Sequence, residues 1–158
     1  MLFLYLSVTL LYILIIITLS TLFHELGHGF FAKIFGGKII TIELGFGRKI
    51  ASFGIFQIRF IFFWKGLCLY NDLKVNNKMS RCFIHIGGVL FNFFLCIICI
   101  FLLQHTRHFS LYLNILLSIN SAMVLFNLLP ITIGHLNTDG KQLYATIRYG
   151  SSSFENKH

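Results

Sequence analysis

Charge is what this sequence has least of. Only 11% of its 158 residues are charged and a single one is proline, where soluble domains carry about 25% charged residues. That shortage excludes an ordinary water-soluble domain. The 56% hydrophobic content excludes disorder, which requires low hydrophobicity. Acidic residues are scarcest, 5 against 13 Lys and Arg, for a formal net charge of +8. In a soluble protein that excess would suggest nucleic acid. In so apolar a chain it points to cytoplasmic loops, which collect Lys and Arg, so no nucleic-acid partner is expected. The length predicts one domain over residues 1–158.

Long apolar runs are abundant. Residues 2–23 contain no charge, and about 20 apolar residues cross a bilayer core as a helix. A signal peptide fits poorly, because the run has no basic leader and no small-residue cleavage site follows. Residues 82–103 form a second run, interrupted by His85 and Asn92, and residues 111–133 a third, with Asn114, Asn120, Asn127 and Pro130 within it. The expectation is an α-helical integral membrane protein with about three transmembrane helices, embedded in a lipid bilayer.

Between the first two spans the pattern changes. In residues 38–70 the apolar positions alternate: Ile40, Ile42, Leu44 and Phe46, then Phe56, Ile58 and Phe60. Period two predicts strands, with Gly47, Arg48 and Lys49 as a turn. The rival reading, a further span over 50–64, is short and contains Arg59. Twelve of the thirteen basic residues lie in 33–81 or after Asp139. The positive-inside rule then predicts a multi-pass cell-membrane protein with its N-terminus outside and the strand segment and C-terminus in the cytoplasm.

The first span runs into His24-Glu25-Leu26-Gly27-His28. Positions i and i+4 share a helix face, so two imidazoles can grip one metal ion while Glu25 projects beside it. This is the HExxH arrangement of zinc hydrolases. Its Glu takes a proton from the attacking water and hands it to the leaving amine. Chance would supply such a pattern on the order of 0.006 times in a chain of this composition. Ionisable groups at the end of an uncharged span are costly and by default functional.

A catalytic zinc takes three protein ligands and leaves a fourth position open. Glu43, Asp72, Asp139 and Glu155 are the remaining acids. Asp139 stands out, since it follows Asn127-Leu128-Leu129-Pro130 at the inner end of the third span. His135 competes as an alternative third ligand. Cys96 and Cys99 have the spacing of half a zinc ribbon, but no second pair exists, so helix packing explains them better.

These residues together resemble the site-2 protease family, the intramembrane zinc metalloproteases. The HExxH lies at the end of the first core helix. Gly88-Val89-Leu90-Phe91-Asn92 is similar to the family's Gly-Pro-Leu-Ala-Asn, and Asn127 to Pro130 with Asp139-Gly140 is similar to its Asn-x-x-Pro and Asp-Gly. The sequence departs in having Val89 for proline and a longer stretch between Asn127 and Asp139.

The resemblance implies one zinc ion per chain, held by His24, His28 and Asp139, with Glu25 as the catalytic acid and base. Asn92 and Asn127 would bind substrate or brace the site. The implied substrate is a membrane-embedded protein or peptide, such as a regulator or a peptide precursor, taken up partly by strand addition. The chain reads as a near-minimal core without a PDZ-like insert, which leaves room for an accessory membrane partner or a homo-oligomer. The competing expectation is a catalytically silent zinc-binding membrane protein acting as an interaction or immunity partner. A pure binder has no use for Glu25 between its two histidines.

Overall fold

The computed structural model describes residues 1–106, 109–134 and 136–150, apart from the side chains of Leu2 and Trp64. His135, His108 and Glu155 lie outside the described residues. The element order is α1 (Leu2–Ile34), β1 (Lys38–Phe53), β2 (Phe56–Asn71), α2 (Lys78–His105), α3 (Ser110–Leu128), β3 (Thr132–Ile133), β4 (Leu136–Asn137) and α4 (Asp139–Tyr149).

Three of these helices, α1, α2 and α3, are long and apolar enough to cross a membrane. Their outward positions carry large apolar side chains, among them Leu4, Leu11, Phe93, Ile97, Phe101 and Leu125, as suits a multi-pass membrane protein. The helix that starts in the first apolar run does not stop with it. At 33 residues α1 is about 50 Å long, well over the roughly 30 Å of a bilayer core. The HExxH is therefore rigidly continuous with the span.

The central element is α2, which packs on α1, α3 and α4. Its start is fixed by a capping box between Asn77 and Ser80, which satisfies backbone N–H groups that the first helical turn leaves without partners. Glycines let α1 and α2 approach closely. A Cβ on Gly87 would lie 2.6 Å from the carbonyl oxygen of Gly27. Phe31 stacks on Phe83 at 5.9 Å beside this crossing. Farther along, the amide of Asn120 donates to Ser20 Oγ at 3.0 Å, a polar tie between α3 and α1 of the kind that joins membrane helices.

The third span is shorter than expected. Instead of continuing towards Ile133, α3 ends at Leu128 and Leu129 turns extended, with ψ 130°. Pro130 explains the stop, because it lacks an N–H and its ring pushes the preceding residue out of helical conformation. The chain then makes the small β3–β4 hairpin before α4.

Residues 38–71 form a β-hairpin, so the rival span over 50–64 is not realised. The turn, however, lies at Gly54 and Ile55 rather than at residues 47–49. Gly47 has φ +89°, and the pairing slips between Phe46 and Lys49, which makes this stretch an irregularity inside a long strand. The hairpin also folds upon itself. Ile42, Glu43 and Leu44 pair with Cys68, Leu67 and Gly66 on one side and with Phe56, Gln57 and Ile58 on the other. Thr41 and Gly45 are buried along with Ile42 and Leu44, so the simple inside–outside alternation breaks down there. β2 then runs against α1.

Candidate active site

Four side chains from two helices, α1 and α4, converge where both pack on α2. His24, Glu25, His28 and Asp139 are each buried, at 5%, 6%, 9% and 8% exposure. Nε2 of His24 lies 3.2 Å from Nε2 of His28. The Asp139 carboxylate reaches both rings, with Oδ2 at 2.9 Å from His24 Nε2 and Oδ1 at 3.5 Å from His28 Nε2. Ligand atoms of His24, Glu25 and His28 fall within 4.8 Å of one another.

Each of these groups is positioned by its own local structure. Nδ1 of His28 faces the carbonyl oxygen of Ile84 at 2.7 Å. Donation of its proton there leaves Nε2 with a lone pair aimed at the cluster, the usual outer-shell arrangement of a metal-binding histidine. His24 is confined by Gly88: a Cβ at that position would lie 2.6 Å from Cε1 and Nε2 of the ring. Glu25 accepts a hydrogen bond from the backbone N–H of Cys68 on β2. Gly66, two residues earlier, has no room for a side chain because the Glu25 carboxyl group occupies that space. The same burial, reinforced by the Glu25 carboxylate, pushes the Cys68 thiol up to about 12.

Asp139 depends on the loop after Pro130. Thr138 caps α4, its Oγ1 accepting from Lys141 N at 3.3 Å and donating to Ile131 O at 3.1 Å, while its own N–H donates to Ile131 O at 3.2 Å. Asp139 thus starts the helix, where a carboxylate is favoured by the unsatisfied N–H groups and the helix dipole. Gly140 is needed beside it, since a Cβ there would collide with the carbonyl of Leu128.

The donor set suits a zinc ion. Two imidazole nitrogens and a carboxylate converge, and Asp139 Oδ2, although 2.9 Å from His24 Nε2, has no partner in hydrogen-bonding alignment. Nitrogen lone pairs and a carboxylate crowded this closely in a buried place repel one another unless a proton or a metal ion lies between them. His24, His28 and Asp139 are the residues able to hold one, and Glu25 is close enough to exchange protons with a molecule bound there.

The two asparagines are placed differently. Asn92 is fully buried, with Nδ2 3.5 Å from Met123 Sδ and Oδ1 unpartnered. Asn127 is half-buried, and its amide donates back to Met123 O at 3.0 Å. No hydrogen bond joins either amide to the four clustered residues among those described. His85 is buried on the same helix as Asn92. It is 4% exposed with Nε2 unpartnered, and it shares a face of α2 with Gly88 and Asn92 through i, i+3 and i+7 spacing.

The model of Peptidase family M50 matches residues 12–108, a range that includes the HExxH, the β-hairpin and all of α2. The chain is also 31% identical over 139 residues to an uncharacterized membrane protein, YwmF, of Bacillus subtilis (strain 168), covering 87% of each sequence. Buried histidines one helical turn apart, a glutamate between them and a family match across more than half the chain agree: the chain belongs to peptidase family M50, the site-2 protease family.

Proposed function

We propose that the protein is an intramembrane zinc metalloprotease. It hydrolyses a peptide bond within or next to a transmembrane segment of a membrane-bound regulator or peptide precursor. The observation that carries this reading is the convergence of His24, His28 and Asp139 on one point with Glu25 buried beside them. His24, His28 and Asp139 hold the zinc. When bound, zinc supplies Lewis acidity to water and to the scissile carbonyl.

The chain's own residues do the rest. Glu25 acts as base and then acid at its carboxylate, accepting a proton from the attacking water and returning it to the leaving amine. The Cys68 N–H holds that carboxylate in place. His28 is kept in its metal-binding tautomer by Ile84 O. Gly66 leaves the space that Glu25 fills, and β2 brings an extended backbone alongside the site, where a substrate unwound from its helix can be held. Asn92 ties α2 to α3 through Met123 and offers Oδ1 to an unwound substrate N–H. Asn127 braces the end of α3 ahead of the Asp139 loop. The positive-inside distribution supports an orientation with the N-terminus outside and the β-hairpin, the site and α4 at the cytoplasmic face.

Metal analysis tests the site. Purified protein is expected to carry about one zinc per chain, and His24→Ala and Asp139→Ala to lose it. Full zinc in Asp139→Ala would remove Asp139 from the ligand set and make His135 the next residue to replace.

A further inference from the structure

Helix α4 is built the wrong way round for a helix facing water. Its inward row is polar: Asp139, Gln142 and Thr146, at i, i+3 and i+7, are 8%, 4% and 0% exposed, and the helix packs on α2. Its outward side sets aromatic and aliphatic groups among cations, with Tyr144 46%, Ile147 54% and Tyr149 69% exposed beside the exposed Arg148. A soluble helix turns its apolar stripe to the core and its polar stripe to solvent. The reversal suits a helix whose outer side meets lipid. At 11 residues α4 is about 16 Å long, too short to span a bilayer.

The basic groups on α4 specify which lipid. Lys141, Tyr144 and Arg148 form a second i, i+3, i+7 row on the outward side. Arg148 lies over the rings of Tyr144 and Tyr149 at 5.9 and 5.8 Å, and its Nη1 donates to Tyr144 Oη at 2.6 Å. Tyrosine with a snorkelling arginine is the composition of the headgroup level. Arg81 reaches the end of the same helix, its Nη1 donating to Gly150 O at 3.4 Å. Cations so placed are complementary to anionic phospholipid.

We propose that α4 is an interfacial anchor whose Lys141–Tyr144–Arg148 row binds anionic phospholipid headgroups, and that this docking holds Asp139 against His24 and His28. Zinc affinity then depends on the surface charge of the bilayer. The second clause rests on the reading of Asp139 as a zinc ligand; the first does not. The coupling follows from rigidity. Asp139 is the first residue of α4, Gly140 fits tightly under Leu128 O, and displacement of the helix displaces the carboxylate.

The test uses the full chain in nanodiscs of phosphatidylcholine alone and of mixed phosphatidylcholine and phosphatidylglycerol. Two quantities are measured: zinc affinity by chelator competition, and amide hydrogen exchange over residues 141–149 without metal. Anionic discs are expected to tighten zinc binding on the order of tenfold and to slow exchange in α4. High salt should reverse both effects. Lys141→Gln with Arg148→Gln should abolish the lipid dependence, and Arg148→Lys should keep it. Equal zinc affinity and equal exchange in both discs would overturn the anchor while leaving the zinc site intact. If zinc binds in neither disc, the ligand reading fails, and the exchange measurement alone decides whether α4 docks on anionic lipid. Slowed exchange without a change in zinc affinity would overturn the coupling to the site.

Discussion

Replacing Gly88 with alanine adds one methyl group at the point where α2 meets the His24 ring. The new Cβ would lie 2.6 Å from Cε1 and Nε2 and 2.7 Å from Cδ2 of His24. Relief is not available at low cost. The ring is buried, and the α1–α2 crossing is already closed by Gly27 and Gly87 backbone. Overpacking of this kind costs about 1–3 kcal/mol, and a ring that rotates away also takes Nε2 from the cluster. Gly29→Ala provides the comparison. Its Cβ would meet Ile39 Cδ1 at 2.9 Å, the far end of a flexible side chain that can move. Both substitutions are in helices and gain about 1 kcal/mol of helix propensity, so that term cancels between them. Gly88→Ala should weaken zinc binding by roughly 5–150-fold relative to Gly29→Ala, as 1–3 kcal/mol implies. Chelator competition on the two purified variants measures this directly. Equal affinity would refute the claim that Gly88 exists to seat His24.

Two further outcomes follow from the charge distribution and from the site's surroundings. Reporters fused after residue 70 and after residue 155 should read cytoplasmic and one at residue 106 external; an external reading at 70 would invert the orientation. With its thiol held up to about 12 by burial and by the Glu25 carboxylate, Cys68 should stay protonated at neutral pH. Because only the thiolate reacts, a variant retaining Cys68 alone should be alkylated on the order of a thousandfold more slowly at pH 7.5 than a free cysteine with its ordinary pKa of about 8.5. Labelling at the free-cysteine rate would show that β2 does not pack against Glu25.

The parts of this protein that sequence made readable are those in which one chemical signal is local. Three apolar runs predict three long helices, and i, i+4 histidines around a glutamate predict a cluster on one helix face. Period-two alternation predicts the hairpin. What was illegible depends on contacts between distant segments. Gly66 is an ordinary strand residue until β2 is laid on Glu25, and Gly87 and Gly88 differ in purpose only once α1 crosses α2. The turn after Phe53 was hidden because Gly47 carries the stronger turn signal but serves as an irregularity in β1. The end of α3 was legible in principle, since Pro130 forces Leu129 out of the helix, but continuing hydrophobicity to Ile133 masked it. The role of Thr138 in presenting Asp139 rests on bonds to Ile131 and Lys141, which no motif encodes.

Central to this account is that Glu25 does chemistry rather than structure. Glu25→Gln keeps the size of the side chain and an acceptor for the Cys68 N–H but removes the base. The decisive measurement is cleavage of a co-expressed membrane substrate, with zinc content determined on the same preparation. His24, His28 and Asp139 are untouched, so zinc should remain at about one per chain. General acid–base groups contribute about 10²–10⁴-fold to rate, and cleavage should fall below detection while substrate still associates. Wild-type cleavage by Glu25→Gln with its zinc in place would contradict the account.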